Sequence, residues 1–276
     1  MTSSRNNINE KLLRRLSEQL LPLGRIAVAL SGGVDSSVLV GAAAEILGAE
    51  NVLAVTVAAP LVPAADHSDA SEAACNAGVE HMIIHTGDEL LDNFVFRENP
   101  PDRCYHCKQL IFNQIFNAAE ARGIKYVCDG TNVDDLQQYR PGLKALKEMG
   151  VISPLAAAGL TKAEVRELAK TYAPNVAVKP AMACLATRIP HGVAITREAL
   201  DRIDKAESRL RAEGFGQLRV RDHQGLARVE LPAALLKDGL SADRIQLLNR
   251  ILHESGFTYA TIDLDGYRTG SMEVHI

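Results

Sequence analysis

No apolar run in this sequence approaches the roughly 20 residues that cross a bilayer. Met1 to Glu10 (MTSSRNNINE) also lacks the apolar stretch of a secretory signal. Together these absences predict a cytoplasmic protein with no membrane partner. Basic charge is not in excess: 30 Lys and Arg stand against 34 Asp and Glu, a formal net charge of −4. A large nucleic-acid footprint usually needs a basic face, so no nucleic-acid partner is expected. Cysteine is scarce and odd in number, at Cys75, Cys104, Cys107, Cys128 and Cys184. Such a set in a cytoplasmic chain argues against a disulfide framework and turns attention to metal or redox chemistry. Internal repeats and low-complexity segments are missing as well. What is present is 276 residues, 47% hydrophobic and 23% charged, with material for one large or two modest domains.

The stretch Ala29-Leu30-Ser31-Gly32-Gly33-Val34-Asp35-Ser36-Ser37 follows an apolar run from Ile26 and leads into Val38 to Ala44. This reads as a buried strand, a glycine turn and a helix N-terminus. The first N–H groups of a helix lack intrahelical partners and carry partial positive charge, so such a turn favours anions. Gly32 and Gly33 let backbone approach a phosphate closely, and Ser31, Ser36 and Ser37 add hydroxyls. Asp35 can cap the helix or face a metal. A Walker A loop is excluded, because no Lys followed by Ser or Thr comes after the second glycine.

An amphipathic helix over 8–20 precedes this strand, and strands at 51–57 and 81–85 alternate with helices at 64–77 and 104–122. A further strand, Tyr126-Val127-Cys128, ends in the turn Asp129-Gly130-Thr131-Asn132. The alternation predicts an α/β fold with a parallel sheet covered on both faces. Ligands of such sheets bind at the carboxyl ends of strands, where Ser31 to Asp35, Val57 and Asp129 to Asn132 converge. Residues 134–154 read as a polar, turn-rich segment that lines or covers the site. Thr161-Lys162-Ala163-Glu164 has the pattern of a capping box, and 179–192 reads as a loop. From Val193 onward the order is helix, strand, strand, helix, strand. The expected division is therefore a nucleotide domain over 1–192 and a smaller α+β domain over 193–276.

Candidate chemistry gathers at a few positions. Cys104 and Cys107 form a CxxC, which supports zinc, iron–sulfur or thiol redox chemistry alike, or two core thiols. No second CxxC or spaced His pair completes a zinc site. Cys184 lies in the loop beside Arg188, a cation that favours thiolate. Two cysteines on one turn and a third elsewhere can hold three irons of a [4Fe–4S] cluster. Cys75 and Cys128 read as core packing. Arg219 and Arg221 share one face of a strand, either gripping a phosphate or lying solvated beside acidic neighbours. Asp134 and Asp135 suit Mg²⁺ or, more simply, a loop cap. Tyr139 and Arg140 follow the second loop and can reach a substrate.

The loop SGGVDSS (31–37) resembles that of the PP-loop ATP pyrophosphatases, which cleave ATP to AMP and pyrophosphate. Together with NPPDRCYHCK (99–108), DGTNVDD (129–135), YRPG (139–142), KPAMACLATRIPHG (179–192), RVRDH (219–223) and DLDGYRTGSM (263–272), it makes the chain resemble the LarE-type sulfur transferases of nickel-pincer nucleotide biosynthesis. The resemblance implies adenylylation of pyridinium-3,5-biscarboxylic acid mononucleotide, followed by replacement of AMP with sulfur. It implies that Cys184 is the essential cysteine, that Arg103, Tyr139, Arg140, Arg219 and Arg221 contact substrate, and that ATP and Mg²⁺ bind. Cys104 and Cys107 beside Cys184 favour the family form with a [4Fe–4S] cluster over the form in which the cysteine surrenders its own sulfur. Glu207, Glu230 and Asp238 match acidic metal positions, and the family assembles as a trimer-based hexamer, which implies a homo-oligomer here. Alternatives are a PP-loop tRNA thiolase, an amide-forming ligase such as NAD synthetase, and a regulatory module that binds nucleotide without turnover.

Overall fold

A computed structural model describes residues 2–137, 141–179, 183–268 and 272. In chain order the elements are α1 (Thr2–Leu20), β1 (Ile26–Ala29), α2 (Val34–Leu47), β2 (Val52–Ala58), α3 (Ala64–Ala77), β3 (Glu80–His85), α4 (Glu89–Asp92) and α5 (Phe94–Arg97). There follow α6 (Arg103–Glu120), β4 (Tyr126–Cys128), α7 (Val133–Leu136), α8 (Pro141–Glu148), α9 (Pro154–Ala157) and α10 (Lys162–Tyr172). A 3-10 turn over Leu185–Arg188 leads to α11 (Arg197–Ala212), β5 (Arg219–His223), β6 (Leu226–Glu230), α12 (Ala233–Asp238), α13 (Ala242–Glu254) and β7 (Tyr259–Ile262). Among these, no helix is long and apolar enough to cross a membrane.

The chain forms two compact units. The first comprises Met1–Ala59, Ala64–Gly87 and Asp102–Met182. Its sheet has the order β3-β2-β1-β4, all parallel. Both faces are buried, so alternate residues of one strand serve two different cores. Ile26, Val28, Val52 and Ala54 pack with Leu12, Leu16 and Leu20 of α1, Val38 and Leu39 of α2 and Val165 and Leu168 of α10. Ala27, Leu53, Val55 and Val57 point the other way, onto Phe112 and Ile115 of α6 and Leu146 of α8. Connections from β1 run outward to β2 and β3, then return across β1 to β4. That reversal places the carboxyl ends of β1 and β4 side by side, the position where open α/β sheets bind ligands.

The second unit comprises Pro60–Pro63, Asp88–Pro101 and Ala183–Ile276. Its sheet has the order β5-β6-β7, with β5 and β6 antiparallel and β6 and β7 parallel. Asn99 explains how a short segment from the middle of the chain belongs here. It adopts φ 55° and is fully buried, and its side-chain amide donates to the carbonyls of Ile189 (3.2 Å), Pro190 (2.8 Å) and Val193 (3.1 Å). Backbone bonds from Gly192 N–H to Asn99 O and from Ile195 N–H to Arg97 O complete the splice.

The predicted architecture, a parallel α/β sheet followed by a smaller α+β region, is the one observed. The segment 134–154 is more helical than its turn-rich sequence suggests, since its described residues include most of α7, all of α8 and the start of α9. Ala145 and Leu146 are buried there, and the alternation of Leu and Lys supplies an amphipathic helix too short to stand out.

Candidate active site

In the first unit the loop after β1 is shaped by contacts that only glycine permits. Gly32 has φ +75°, and a Cβ there would lie 2.1 Å from the carbonyl oxygen of Asp66. Ser36 ties the turn together: its hydroxyl accepts from Ser31 N–H and donates to Gly33 O, both at 3.2 Å. Ser36 and Ser37 are buried, while Ser31 and Gly33 lie nearer the rim. An anion at the start of α2 would therefore meet backbone amides rather than all three hydroxyls.

The second loop presses on the same helix start. A Cβ at Gly130 would lie 2.6 Å from Ser36 N, so a side chain there would push the loops apart. Asn132 caps α7 by accepting from Asp134 N–H (2.9 Å) and Asp135 N–H (3.3 Å), and its amide donates to Asp35 Oδ1 at 3.1 Å. Asp35 Oδ2 pairs with the ammonium of Lys162 at the first turn of α10. Lys162 N–H in turn donates to Asp134 Oδ2 at 2.8 Å. Asp129 is buried beneath, accepting from Thr131 Oγ1 and from Ser153 Oγ (2.6 Å). It orders the loop from within. Asp134 and Asp135 thus cap backbone, the simpler of their two predicted roles. Val57 is buried in the sheet core.

Beside this loop opens a cleft of about 830 Å³ whose lining includes Thr131, Ser153, Tyr105, Lys144 and Lys147. Lys162 and Ser153 escaped the sequence reading. A lysine in a capping box carries no local sign that its side chain crosses to a loop 127 positions away.

The cysteines fall into distinct environments. Cys104 is exposed and Cys107 half-buried, one turn apart on α6. Cys128 is fully buried, and burial first, then the charge of Asp129, pushes its thiol up to about 12. It is inert packing, as expected. Cys75 is exposed on α3, a correction to the core role expected of it. Ala73 and Ala74 turn inward and the next residue rotates about 100° away. Among the described residues, no three His, Cys, Asp or Glu side chains are grouped to hold a metal ion. Cys104 and Cys107 belong to the first unit and Cys184 to the second.

In the second unit Cys184 is half-buried at the head of the 3-10 turn. Arg188, four residues on, is fully buried and bound to the equally buried Glu207. Glu207 Oε1 accepts from Arg188 Nε (3.0 Å) and Val220 N–H (3.0 Å), and Oε2 from Arg188 Nη2 (2.9 Å) and Arg211. Burial raises this carboxyl, but Arg188, Arg211 and the Val220 N–H outweigh it and hold the group below the usual carboxylate range. Arg221 meets Glu230 through both Nε (2.9 Å) and Nη2 (2.7 Å) and donates to Thr187 O (3.0 Å). Arg219 is buried with its guanidinium 5.1 Å from the centre of the Tyr267 ring. The two arginines share a strand face as predicted, but neither lies solvated.

Glu207 and Glu230, implied as metal positions, turn their oxygens to arginine N–H groups. Asp238 is exposed at the end of α12. Arg103 is buried at the start of α6. Tyr139 and Arg140 lie outside the described residues, as do residues 180–182 of the cysteine loop and 269–271 of the last motif.

A parallel sheet with a glycine loop after β1, a second loop meeting it at the reversal of strand order, and no Walker lysine define an ATP-utilising enzyme of the PP-loop class. An asparagine synthase family model matches residues 7–126. The pyridinium-3,5-bisthiocarboxylic acid mononucleotide synthase of Lactiplantibacillus plantarum is 36% identical over 92% of this chain and 90% of its own. An uncharacterized protein of Synechocystis sp., slr1717, is 38% identical over 95% and 97%. The NH(3)-dependent NAD(+) synthetase of Methanopyrus kandleri is 48% identical, but over only 24% of this chain. The chain belongs to the PP-loop family that includes the pyridinium-3,5-bisthiocarboxylic acid mononucleotide synthase.

Proposed function

We propose that this protein is an ATP-dependent sulfur transferase acting on the carboxylates of pyridinium-3,5-biscarboxylic acid mononucleotide. The observation that carries this reading is the extent of the similarity to the Lactiplantibacillus synthase, 92% of the chain, whereas likeness to the NAD synthetase covers 24%. In the first half-reaction a substrate carboxylate oxygen attacks the α-phosphorus of ATP, and the bond to the β-phosphate oxygen breaks. The α2 amides and Lys162 stabilise the departing pyrophosphate. Asp35 keeps the ammonium of Lys162 at the loop, and its remaining lone pairs suit Mg²⁺ on the phosphates. In the second half-reaction a sulfur nucleophile delivered at Cys184 attacks the acyl carbon and expels AMP, leaving a thiocarboxylate. A second round gives the dithio product.

Cys104 and Cys107 present two thiols on one side of a helix, a donor pair that suits iron. With Cys184 they are the proposed ligands of a [4Fe–4S] cluster, whose chemistry when bound is to supply the sulfide. Arg219 and Arg221 are the proposed contacts for the substrate phosphate. A cytoplasmic homo-oligomer, trimeric or hexameric, completes the reading. Incubation of anaerobically purified protein with ATP and the biscarboxylate should give AMP, pyrophosphate and a product heavier by the exchange of oxygen for sulfur. Cys184→Ser should retain ATP–pyrophosphate exchange and lose the thio product. Thiolation of tRNA with none of the small nucleotide, or an ammonia-dependent amide product indifferent to Cys184, would sink the proposal. Iron and sulfide analysis, with the mass of Cys184 after turnover, separates a cluster from surrender of the cysteine sulfur.

A further inference from the structure

The backbone around Cys184 is fastened from several directions within the second unit. Its carbonyl accepts from Thr187 N–H (3.0 Å), Thr187 Oγ1 (2.7 Å) and Arg188 Nη1 (3.1 Å), while Leu185 N–H donates to Leu61 O (2.9 Å). The same Nη1 donates to Ala183 O at 2.5 Å. Arg188 thus presents Nη1 to the peptides on either side of the Cys184 α-carbon and the Nε–Nη2 edge to Glu207. Both edges of the Arg188 guanidinium are spent on protein groups, and its planar fork transmits the position of one partner to another. Glu207 is itself fixed by Val220 N–H on β5, and Arg211 adds one partly exposed bond on which the Val220 and Arg188 bonds do not depend.

We infer that Arg188 is a positioning residue: anchored by Glu207, it holds the Ala183 and Cys184 carbonyls and so sets the direction of the Cys184 thiol. The link to sulfur transfer rests on the proposed function, whereas the held geometry of the cysteine does not. Lysine keeps the charge but lacks the fork that bonds carbonyls and carboxylate at once. Arg211 separates positioning from general support, because it pairs with Glu207 and, among the described residues, bonds neither Arg188 nor a Cys184-loop carbonyl.

Alkylation with iodoacetamide, read by mass spectrometry of each cysteine peptide, tests this in the full chain with exposed Cys75 as internal reference. Arg188→Lys is expected to raise the Cys184 rate relative to Cys75 about tenfold, the loss of one charge-assisted bond. Glu207→Gln should move it in the same direction and serves if Arg188→Lys does not fold. Arg211→Gln should leave it at the wild-type ratio. In turnover, Arg188→Lys should lower kcat for the thio product with the KM for ATP unchanged. A wild-type Cys184 ratio in both Arg188→Lys and Glu207→Gln would overturn the inference, and so would Arg211→Gln matching them. If wild-type protein makes no thio product, the sulfur-transfer reading fails, and the alkylation ratios still decide the positioning role.

Discussion

Lys162 is where a single side chain carries most of the nucleotide site's charge logic. In the proposed reaction its ammonium takes the part that the Walker lysine plays in other ATP-binding loops, brought here from α10 instead of from the glycine loop. Pairing with Asp35 occurs with both side chains about a quarter to a third exposed, at 32% and 23%, so it adds little to stability. Lys162→Met is therefore expected to fold normally by circular dichroism. ATP–pyrophosphate exchange should fall roughly 10- to 100-fold, the worth of a charged hydrogen bond to a phosphate. Unimpaired exchange would remove Lys162 from the site. Gly32 bears on the same loop by sterics alone. Gly32→Ala meets both a positive φ and the Asp66 carbonyl, and should lower stability by about 1–3 kcal/mol in urea unfolding while abolishing exchange.

At the scale of elements, α10 shows how a local motif places a remote side chain. Thr161 Oγ1 accepts from Glu164 N–H at 3.3 Å and Glu164 Oε2 accepts from Thr161 N–H at 2.8 Å, the reciprocal pair expected from the spacing. That box fixes the first turn and hence Lys162. Thr161→Ala should cost about 1 kcal/mol in thermal unfolding, and because Lys162 loses its mount, the KM for ATP should rise as well. A stability loss with unchanged KM would show the cap to be independent of the site. Glu164 is held below the usual carboxylate range. Burial raises it, but the Thr161 N–H and hydroxyl and the Arg15 guanidinium together pull it further down. On α11 the same kind of reading falls short. Its amphipathic pattern is plain, yet Glu207 on that helix is fully buried. A charge inside an apolar stripe is intelligible only once Arg188 and Arg211 are placed around it.

Across the whole molecule, buried ion pairs of the second unit give stability a pH dependence of definite sign. Glu207 is depressed in the fold relative to its unfolded value near ~4.3. Its contribution is complete above that unfolded value and is lost as pH falls through the lower folded one. Urea unfolding followed by circular dichroism should show Glu207→Gln less stable at pH 7 by about 3–5 kcal/mol. The gap should narrow steadily as pH drops below ~4. A gap independent of pH would mean that the carboxylate charge is not what the arginines hold.

The sequence by itself determined the alternation of strand and helix, the glycine loop, the capping box and the position of Cys184. Each is a short-range pattern, in which neighbours a few residues apart dictate periodicity, turn geometry or chemistry. Tertiary structure decided which charges meet. It joined Asp35 to Lys162 and Asn132, set Glu207 and Glu230 against arginines, and exposed Cys75 on a helix that reads as core. Charges far apart in the chain meet only where packed elements bring them together, and a buried charge then needs such a partner, a condition of the packed molecule rather than of any stretch of it.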